Sequence, residues 1–517
     1  MDATERVTDV LIVGAGPTGL VLALWLTHLG VRVRIIDRTA QPGTTSRAIA
    51  VQARTLELYR QIDLAEPVVE RGRRAVAANL WVAGKKTARI VFGELGANIS
   101  PFPYALIFPQ DEHELLLIAR LAALSVEVER GTELMDFEEA NGHIRARLKR
   151  PDGSTEACEA QYLAGCDGAH SIVREKLRLG FEGGTYAHLF YVADVKASGA
   201  AMNAEVHIAL DRADFLAVFP LKADGHARLV GTVRDAALPR KENLSWDDVS
   251  ERVIGWMGIH VERVNWFSTY RVHHRLAERF RSGRVFLLGD AAHVHSPVGG
   301  QGMNTGIGDA INLAWKLAAV LHARASASLL DSYEPERIAF ARRLVATTDQ
   351  AFTAVTSSGP IARALRLRIV PPLLGLAFRF ATLRDFVFRT VSQISVSYRR
   401  SNLSEGRAGA VHGGDRLPWV QMNGTDNFTP LTSLDWQVHV YGEPSPALQT
   451  LCHARQLPLQ VFAWRAQMRR CGLRRNALYL VRPDGYVALV DDQARVQTLA
   501  DYLDARKLVP IMKSTVA

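Results

Sequence analysis

Gly14, Gly16 and Gly19 stand at the spacing of a dinucleotide fingerprint, and Asp37 follows 23 positions after Gly14. The first glycine permits a tight turn, the second lets backbone approach a pyrophosphate, and the third lets a helix pack close to a strand. Ala15, Pro17 and Thr18 complete the turn G-A-G-P-T-G. Pro17 suits a first helical position, where a missing N–H costs nothing. The free N–H groups of such a helix start attract an anion. A carboxylate at Asp37, with Arg38 beside it, is placed to hold an adenosine ribose. An acid there argues for a free 2′-hydroxyl, as in FAD or NAD rather than NADP. The plainer alternative is a glycine-rich turn in some other buried βα unit.

A second stretch with chemical content is G-R-V-F-L-L-G-D-A-A-H-V-H-S-P-V-G-G-Q-G-M-N-T-G, from Gly283 to Gly306. Gly289-Asp290 ends an apolar strand with a carboxylate able to bind sugar-like hydroxyls. Glycines at 299, 300, 302, 306 and 308 surround a helix start near Met303. Backbone N–H groups at such a start face developing negative charge. Between the two stretches, Asp167-Gly168 ends another strand, where an ordinary left-handed turn is the alternative. Arg47, in the loop before a helix at Thr55–Arg60, is either a phosphate clamp or a surface arginine.

The elements that position these residues follow from periodicity. Val10–Val13 is a short apolar run, as in a strand buried on both faces. A helix and a second strand ending at Asp37 come next. Residues 75–108 read as strands and loops of an inserted sheet, and Gln110–Leu124 as a helix with early acids at its N-terminus. Residues 125–164 alternate as antiparallel strands, with turns at Asn141-Gly142 and Pro151-Asp152-Gly153. Residues 185–282 predict an antiparallel sheet with connections too short for crossover helices. Phe215, Phe219, Trp266, Phe267 and Tyr270 make it a wall for a flat apolar ligand, or simply fill a core. A helix runs from Ile307 to Leu321.

Three separated motifs, G-A-G-P-T-G, C-D-G-A-H-S-I-V-R and G-R-V-F-L-L-G-D-A-A-H with its G-G-Q-G-M-N-T-G continuation, resemble those of the class A FAD-dependent aromatic hydroxylases. D-S-Y-E-P-E-R at 331–337 also fits. The resemblance covers about residues 8–395, and the branch is the one that includes phenol and aromatic polyketide hydroxylases. It implies an α/β fold: a Rossmann-like FAD-binding domain, an inserted antiparallel-sheet substrate domain and a C-terminal thioredoxin-like domain. The implied boundaries are 1–184 and 283–400 for the FAD-binding parts and helical connector, 185–282 for the substrate sheet and 401–517 for the last domain. In that last domain L-P-W-V-Q-M (417–422), W-Q-V-H-V-Y-G (436–442) and L-Y-L-V-R-P-D-G-Y-V-A-L-V (478–490) read as strands and a turn. Arg482, Asp484 and Gly485 match the branch's R-P-D-G signature.

Position by position, the resemblance implies that Gly14, Gly16 and Gly19 hold the FAD pyrophosphate and Asp37 the ribose. Arg47 and Gln110 match FAD-contacting positions, and Asp167 and Gly168 a turn linked to FAD and nicotinamide binding. Gly289 and Asp290 would meet the ribityl or pyrophosphate part, and Pro297 the isoalloxazine. The Gly300, Gly302, Met303 and Asn304 backbone would face its pyrimidine edge. The activity implied is hydroxylation of a phenolic or polycyclic aromatic substrate with NAD(P)H and O2, through a flavin hydroperoxide. NADPH or NADH would dock transiently, because the chain has no second glycine fingerprint. Baeyer–Villiger-type oxygenation, a non-oxygenating redox step and a non-catalytic flavin-binding role stay open as alternatives. His207, His273, His293, His295 and Tyr270 are the groups that could help ionise a phenol, and the sequence selects none of them.

Length and composition bound the rest. A chain of 517 residues holds two or three domains, and 48% hydrophobic residues suit a globular protein with sizeable cores. Its four cysteines show neither C-x-x-C nor metal-ligand spacing, so free thiols, a reducing compartment and a cytoplasmic location are expected. The uncharged run Val10–Leu26 is broken by glycines and a proline and flanked by acids, which argues against a signal or transmembrane segment. The net charge is +9, and residues 361–400 hold eight arginines against one acid. That segment is either a helical connector with solvated arginines or a site for an anionic partner such as a membrane surface. No recognised nucleic-acid motif accompanies the charge. The expected partners are a small aromatic substrate, O2 and NAD(P)H, with a homodimer left open.

Overall fold

The computed structural model describes residues 8–43, 48–82, 84–91, 96–210, 215–233, 244–249, 251–296, 300–356 and 380–509. Arg47, Pro297 and the first half of the basic 361–400 segment lie outside the described residues.

The first sheet has a parallel core in the order Val285–Leu287, Thr155–Gly165, Thr8–Val13, Val33–Asp37, Val128–Arg130. Helix α1 (Pro17–His28) is buried from Gly19 to Trp25 with hardly any surface left to water. A helix apolar all round has to be covered all round. The sheet, the later helix Gln110–Ala123 and the late helix Gly302–Leu321 share one apolar cluster with it. The strands His143–Lys149 and Glu133–Ala140 extend antiparallel from Thr155–Gly165. The expected antiparallel run over 125–164 therefore needs correcting. Val128–Arg130 pairs parallel to Val33–Asp37, and Thr155–Gly165 is antiparallel on one edge only.

The second sheet has eight strands in the order His293–Val294, Ile259–Ala277, Phe181–Gly199, His226–Thr232, Phe215–Pro220, Val206–Leu210, Ala77–Val82, Lys85–Val91. Two features depart from the expectation. Ala77–Val82, from the inserted stretch, joins the sheet and pairs parallel to Val206–Leu210. One connection is a crossover after all: the chain passes from His226–Thr232 over Phe181–Gly199 to Ile259–Ala277 and carries the short helix Glu251–Trp256. The few apolar positions of that segment gave too weak a period to read as helix.

The C-terminal region forms a mixed six-stranded sheet, Val411–His412, Glu405–Ala408, Val487–Asp491, Leu478–Val481, Gln437–Tyr441, Leu459–Phe462. Each face has its own apolar cluster, one built on Val438, Val440 and Leu480, the other on Tyr441, Tyr479 and Val481. Of the stretch 417–422 only Gln421–Met422 is strand, while Leu417, Trp419 and Val420 fill the core from a loop. Alternation of buried and exposed positions there resembles strand but does not require it.

This region is joined to the first by buried charges. Glu336 has no exposure and accepts from Arg482, Lys316, Asn312 and Ser401. Burial alone would raise its carboxyl, but the Arg482 and Lys316 charges hold it below the usual carboxylate range. The same burial pushes Lys316 down to about 8, opposed by Glu336. A carboxyl lowered in the folded state contributes stability that is complete above its unfolded pKa of about 4.5 and is lost as pH falls toward the folded value. Acidification from pH 5 to pH 3 should therefore lower the urea midpoint of the wild-type chain, and Glu336→Gln should flatten that slope. At pH 7 the substitution should cost about 3–5 kcal/mol, because it leaves Lys316 without its counter-charge and Arg482 with Asp484 alone. Equal acid slopes in the two proteins would contradict this account.

Candidate active site

The glycine turn is shaped by its contacts. Gly14 has φ +102°, and a side chain there would strike the backbone of Cys166 and Asp167 at the end of the neighbouring strand. Gly19 lies against the Gly14 carbonyl with no room for a β-carbon. Gly16 differs: a β-carbon there would meet nothing within 4 Å. Helix α1 starts at Pro17 with no side chain capping it, so open space lies over an uncapped helix start. That combination suits a phosphate group.

Asp37 ends its strand beside the turn. Its Oδ2 accepts from the Ala15 N–H at 2.8 Å, and its Oδ1 from Thr39. Arg130 approaches it at 3.7 Å. Arg38 is exposed. Gln110, at the start of its helix, donates to Glu114 at 2.8 Å. Asp167 accepts from the Val173 N–H, while its Oδ1 is buried with no partner among the described residues. Burial raises its carboxyl above the usual range, against the pull of hydrogen bonds from Ser171 and backbone. Gly168 follows at φ +79°.

The late glycine stretch meets the early one at Thr18. A β-carbon on Gly289 would lie 2.6 Å from Thr18 Oγ1, and one on Gly306 would overlap it. Gly302–Leu321 begins with no side-chain cap. The Asn304 side chain is fully committed: it donates to the Ala50 and Gly300 carbonyls and accepts from Gln52 N–H and Thr55. Only backbone is therefore offered to a ligand at that position. Asp290 is exposed on a short turn after Gly289.

The histidines separate. His293 is buried and bonded through Nε2 to Asp309 at 2.7 Å, an acid that also accepts from the Gly289 N–H and from Arg337. His207 pairs with Trp81 and Asn203 on the sheet face that belongs to the outer apolar cluster, and His273 follows the same parity. Neither faces the nucleotide-binding domain, so neither is placed to serve as the base. His295 lies beside the Gly302 helix start. Its Nδ1 meets the Ser296 carbonyl at 2.8 Å, so that nitrogen carries the proton and Nε2 presents a lone pair. Burial, then His293, pushes its imidazole down to about 4, which keeps it neutral near pH 7.

Phe215, Phe219, Trp266 and Tyr270 share the other face of the second sheet, toward the nucleotide-binding domain. Registers across the sheet set three rows there. Phe215, Thr232, Phe190 and Tyr270 form the first; Ala217, Val230, Val192 and Ser268 the second; Phe219, Arg228, Asp194 and Trp266 the third. Two aromatic rows thus flank a row of small side chains. Phe267, one residue out of phase, points to the outer face and stacks on Tyr191, so it is not part of this wall. Sequence reading missed the Asp194–Arg228 ion pair, which closes the third row with two 2.7 Å bonds and reaches the Ala48 carbonyl. Opposite charges at inward positions of two strands were the available signal. It also missed Asp309 and Arg130.

Two uncapped helix starts meet at one glycine-lined place, with an aromatic-walled sheet opposite, an arrangement that suits a nucleotide cofactor. The chain belongs to the FAD binding domain family, whose pattern it matches over residues 7–348, and with its monooxygenase relatives to the class A FAD-dependent aromatic hydroxylase family. It is 33% identical to 6-methylpretetramide 4-monooxygenase of Streptomyces rimosus, over 97% of this chain and 94% of that protein. It is 32% identical to pentachlorophenol 4-monooxygenase of Sphingobium chlorophenolicum, over 80% and 76%. Among solved structures it resembles OxyS, the anhydrotetracycline hydroxylase of Streptomyces rimosus, with TM-score 0.77, 28% identity and 97% and 99% coverage. The rebeccamycin biosynthetic enzyme RebC, solved with reduced flavin, matches at TM-score 0.76 and 26% identity, covering 98% of this chain and all of that one. Among the described residues, no helix is long and apolar enough to cross a membrane and no cluster of metal-ligating side chains occurs.

Gly16→Val separates cofactor binding from folding. The substitution fills open space, so the thermal midpoint of the FAD-free protein should stay within about 2 °C. Its FAD dissociation constant should rise at least ~10-fold. Gly14→Ala should instead destabilise the chain itself, by roughly 1–3 kcal/mol from backbone strain alone. Fluorescence titration of FAD and thermal unfolding of the apoprotein check both.

Proposed function

We propose that this protein hydroxylates a phenolic or polycyclic aromatic substrate, using NAD(P)H and O2 with bound FAD. The observation that carries the reading is the wall of the second sheet: two aromatic rows with a row of Ala217, Val230, Val192 and Ser268 between them, turned toward the flavin-binding domain. Such a trough suits a planar molecule several rings wide. The names of the relatives, which include enzymes for pretetramide, tetracycline and chlorophenol substrates, support the same class.

The chain's own residues have distinct tasks in this reading. The Gly14–Gly19 turn and the start of α1 hold the FAD pyrophosphate, with Asp37, Arg38, Arg47 and Gln110 along the adenosine and ribityl parts. Asp167, Gly168, Gly289 and Asp290 line the middle of the cofactor. Pro297 and the backbone of Gly300, Gly302, Met303 and Asn304 face the ring. Bound FAD supplies the transfer of reducing equivalents from NAD(P)H to O2. The uncapped Gly302 helix start stabilises negative charge that develops at the ring end. Phe190, Phe215 and Tyr270, packed at centroid distances of 5.9–6.4 Å, orient a flat substrate and exclude water. The open lone pair of His295 is the acceptor best placed near that helix start to hold a phenolic proton.

The finer domain reading is part of the proposal. Residues 1–184 and 283–400 make the FAD-binding domain and connector, 185–282 the substrate domain, and 401–517 a thioredoxin-like domain without the dithiol. The mixed C-terminal sheet covered by helices on its faces supports that last assignment.

Aerobic NADPH and NADH oxidation by FAD-loaded protein, with a panel of phenols and polycyclic phenols, tests the reading. The expected result is stimulated oxidation with a one-oxygen mass gain in the product and little peroxide. Stimulation that yields a ring-expanded ester, or a product without added oxygen, would replace hydroxylation by one of the other reactions of this scaffold.

A further inference from the structure

The geometry points to the Arg482-Pro-Asp-Gly turn of the C-terminal region as a positioning element for the cofactor site: it latches the back of the Gly302–Leu321 helix and so sets how tightly FAD is held. Two chains of buried contacts lead from this turn to the uncapped helix start.

The first runs through charge. Arg482 binds Glu336 at 2.8 and 3.0 Å. The next residue, Arg337, binds Asp309 on the helix at 2.5 Å, the Thr305 carbonyl at 3.0 Å and the Tyr398 hydroxyl at 2.8 Å. Asp309 in turn holds the Gly289 N–H at 3.0 Å and His293 at 2.7 Å. Its carboxyl is kept ionised against its own burial by Arg337 and His293. The chain ends at the loop that places Asp290.

The second runs through the helix Ala53–Arg60. The Asp484 carbonyl accepts from Arg54 at 2.6 Å, and Arg416 grips Glu57 with two bonds. Thr55 on the same helix and the Gln52 N–H just before it bind Asn304, in the first turn of the late helix. Asp484 also accepts directly from Trp315 Nε1 at 3.1 Å, in the middle of that helix. Both chains therefore fix the orientation of one helix start, and each begins on a residue outside the matched FAD-binding segment 7–348.

This inference rests on the flavin lying at the Gly289–Asn304 end, and the test keeps the two apart. Coupling between two sites is reciprocal. In the full-length wild-type protein, FAD loading should slow amide exchange in the hairpin 478–491. In Arg482→Met, the FAD dissociation constant should rise about tenfold, within the usual range for coupled sites. The loading effect on the hairpin should vanish there, while exchange in Gln437–Tyr441 stays as in wild type. Arg482→Lys should restore part of the affinity. Trp315→Phe, which removes one bond and no charge, serves if Arg482→Met does not fold, and should weaken FAD binding severalfold. FAD binding at wild-type strength in a folded Arg482→Met or Trp315→Phe protein overturns the latch. Wild-type hairpin exchange that is indifferent to FAD also overturns it. A wild-type protein that binds no FAD overturns the cofactor assignment itself.

Discussion

A helix start that is to receive a ligand cannot be closed by its own side chains, so it has to be held from behind. The late helix Gly302–Leu321 shows this constraint plainly. Its first turn has no side-chain cap, and the Asn304 side chain there is committed to four backbone and side-chain partners. The holding is done along the helix body. Asp309, Asn312, Trp315 and Lys316 are buried polar groups at intervals of three, three and one residues, and each is answered by a residue from another element. An apolar helix would have been cheaper to bury. Polar groups with partners in fixed directions give it one rotation and one axial position instead.

The same logic explains the pattern D-S-Y-E-P-E-R. Tyr333 donates to the Leu287 carbonyl, Glu334 accepts from the N–H groups of Phe280 and Arg281, Glu336 takes Arg482, and Arg337 takes Asp309. Four of five consecutive positions thus tie together a strand end, a turn, the C-terminal region and the late helix. Their fixed spacing comes from geometry at a junction, where several elements must be met within a turn and a half of helix.

What could be read from the sequence follows how local each cause is. The G-A-G-P-T-G turn is explained within a strand, a turn and a helix, so its spacing alone carried the element boundaries, and Pro17 fell at the first helical position. Phe215, Phe219, Trp266 and Tyr270 came out on one face because strand parity is local once the strand is placed. Phe267, for which core filling was the open alternative, differs from Trp266 by a single position, which in a strand is the whole difference between two faces. Asp194–Arg228, Glu336–Arg482 and Glu57–Arg416 were out of reach for another reason: their partners lie 34, 146 and 359 residues apart, and a charged residue inside an apolar run announces a partner without naming it. R-P-D-G could be recognised as a signature while its contacts stayed hidden, since its partners are on three helices of a different region.

The C-terminal region lacks the dithiol that would give it redox chemistry, yet it brings Arg482, Asp484, Arg416 and Tyr486 into a buried junction with Tyr398 and Glu336. Buried ion pairs are poor stabilisers on balance, because desolvation offsets most of the attraction. Stability alone would therefore favour an apolar seam there. Charges that cost solvation but accept only one geometry are suited to a different end, a fixed relation between two regions. Here that relation bears on the helix Gly302–Leu321, whose start carries no side-chain cap. A seam of this kind makes the C-terminal region part of the active site's framework, although none of its side chains need touch the reacting atoms.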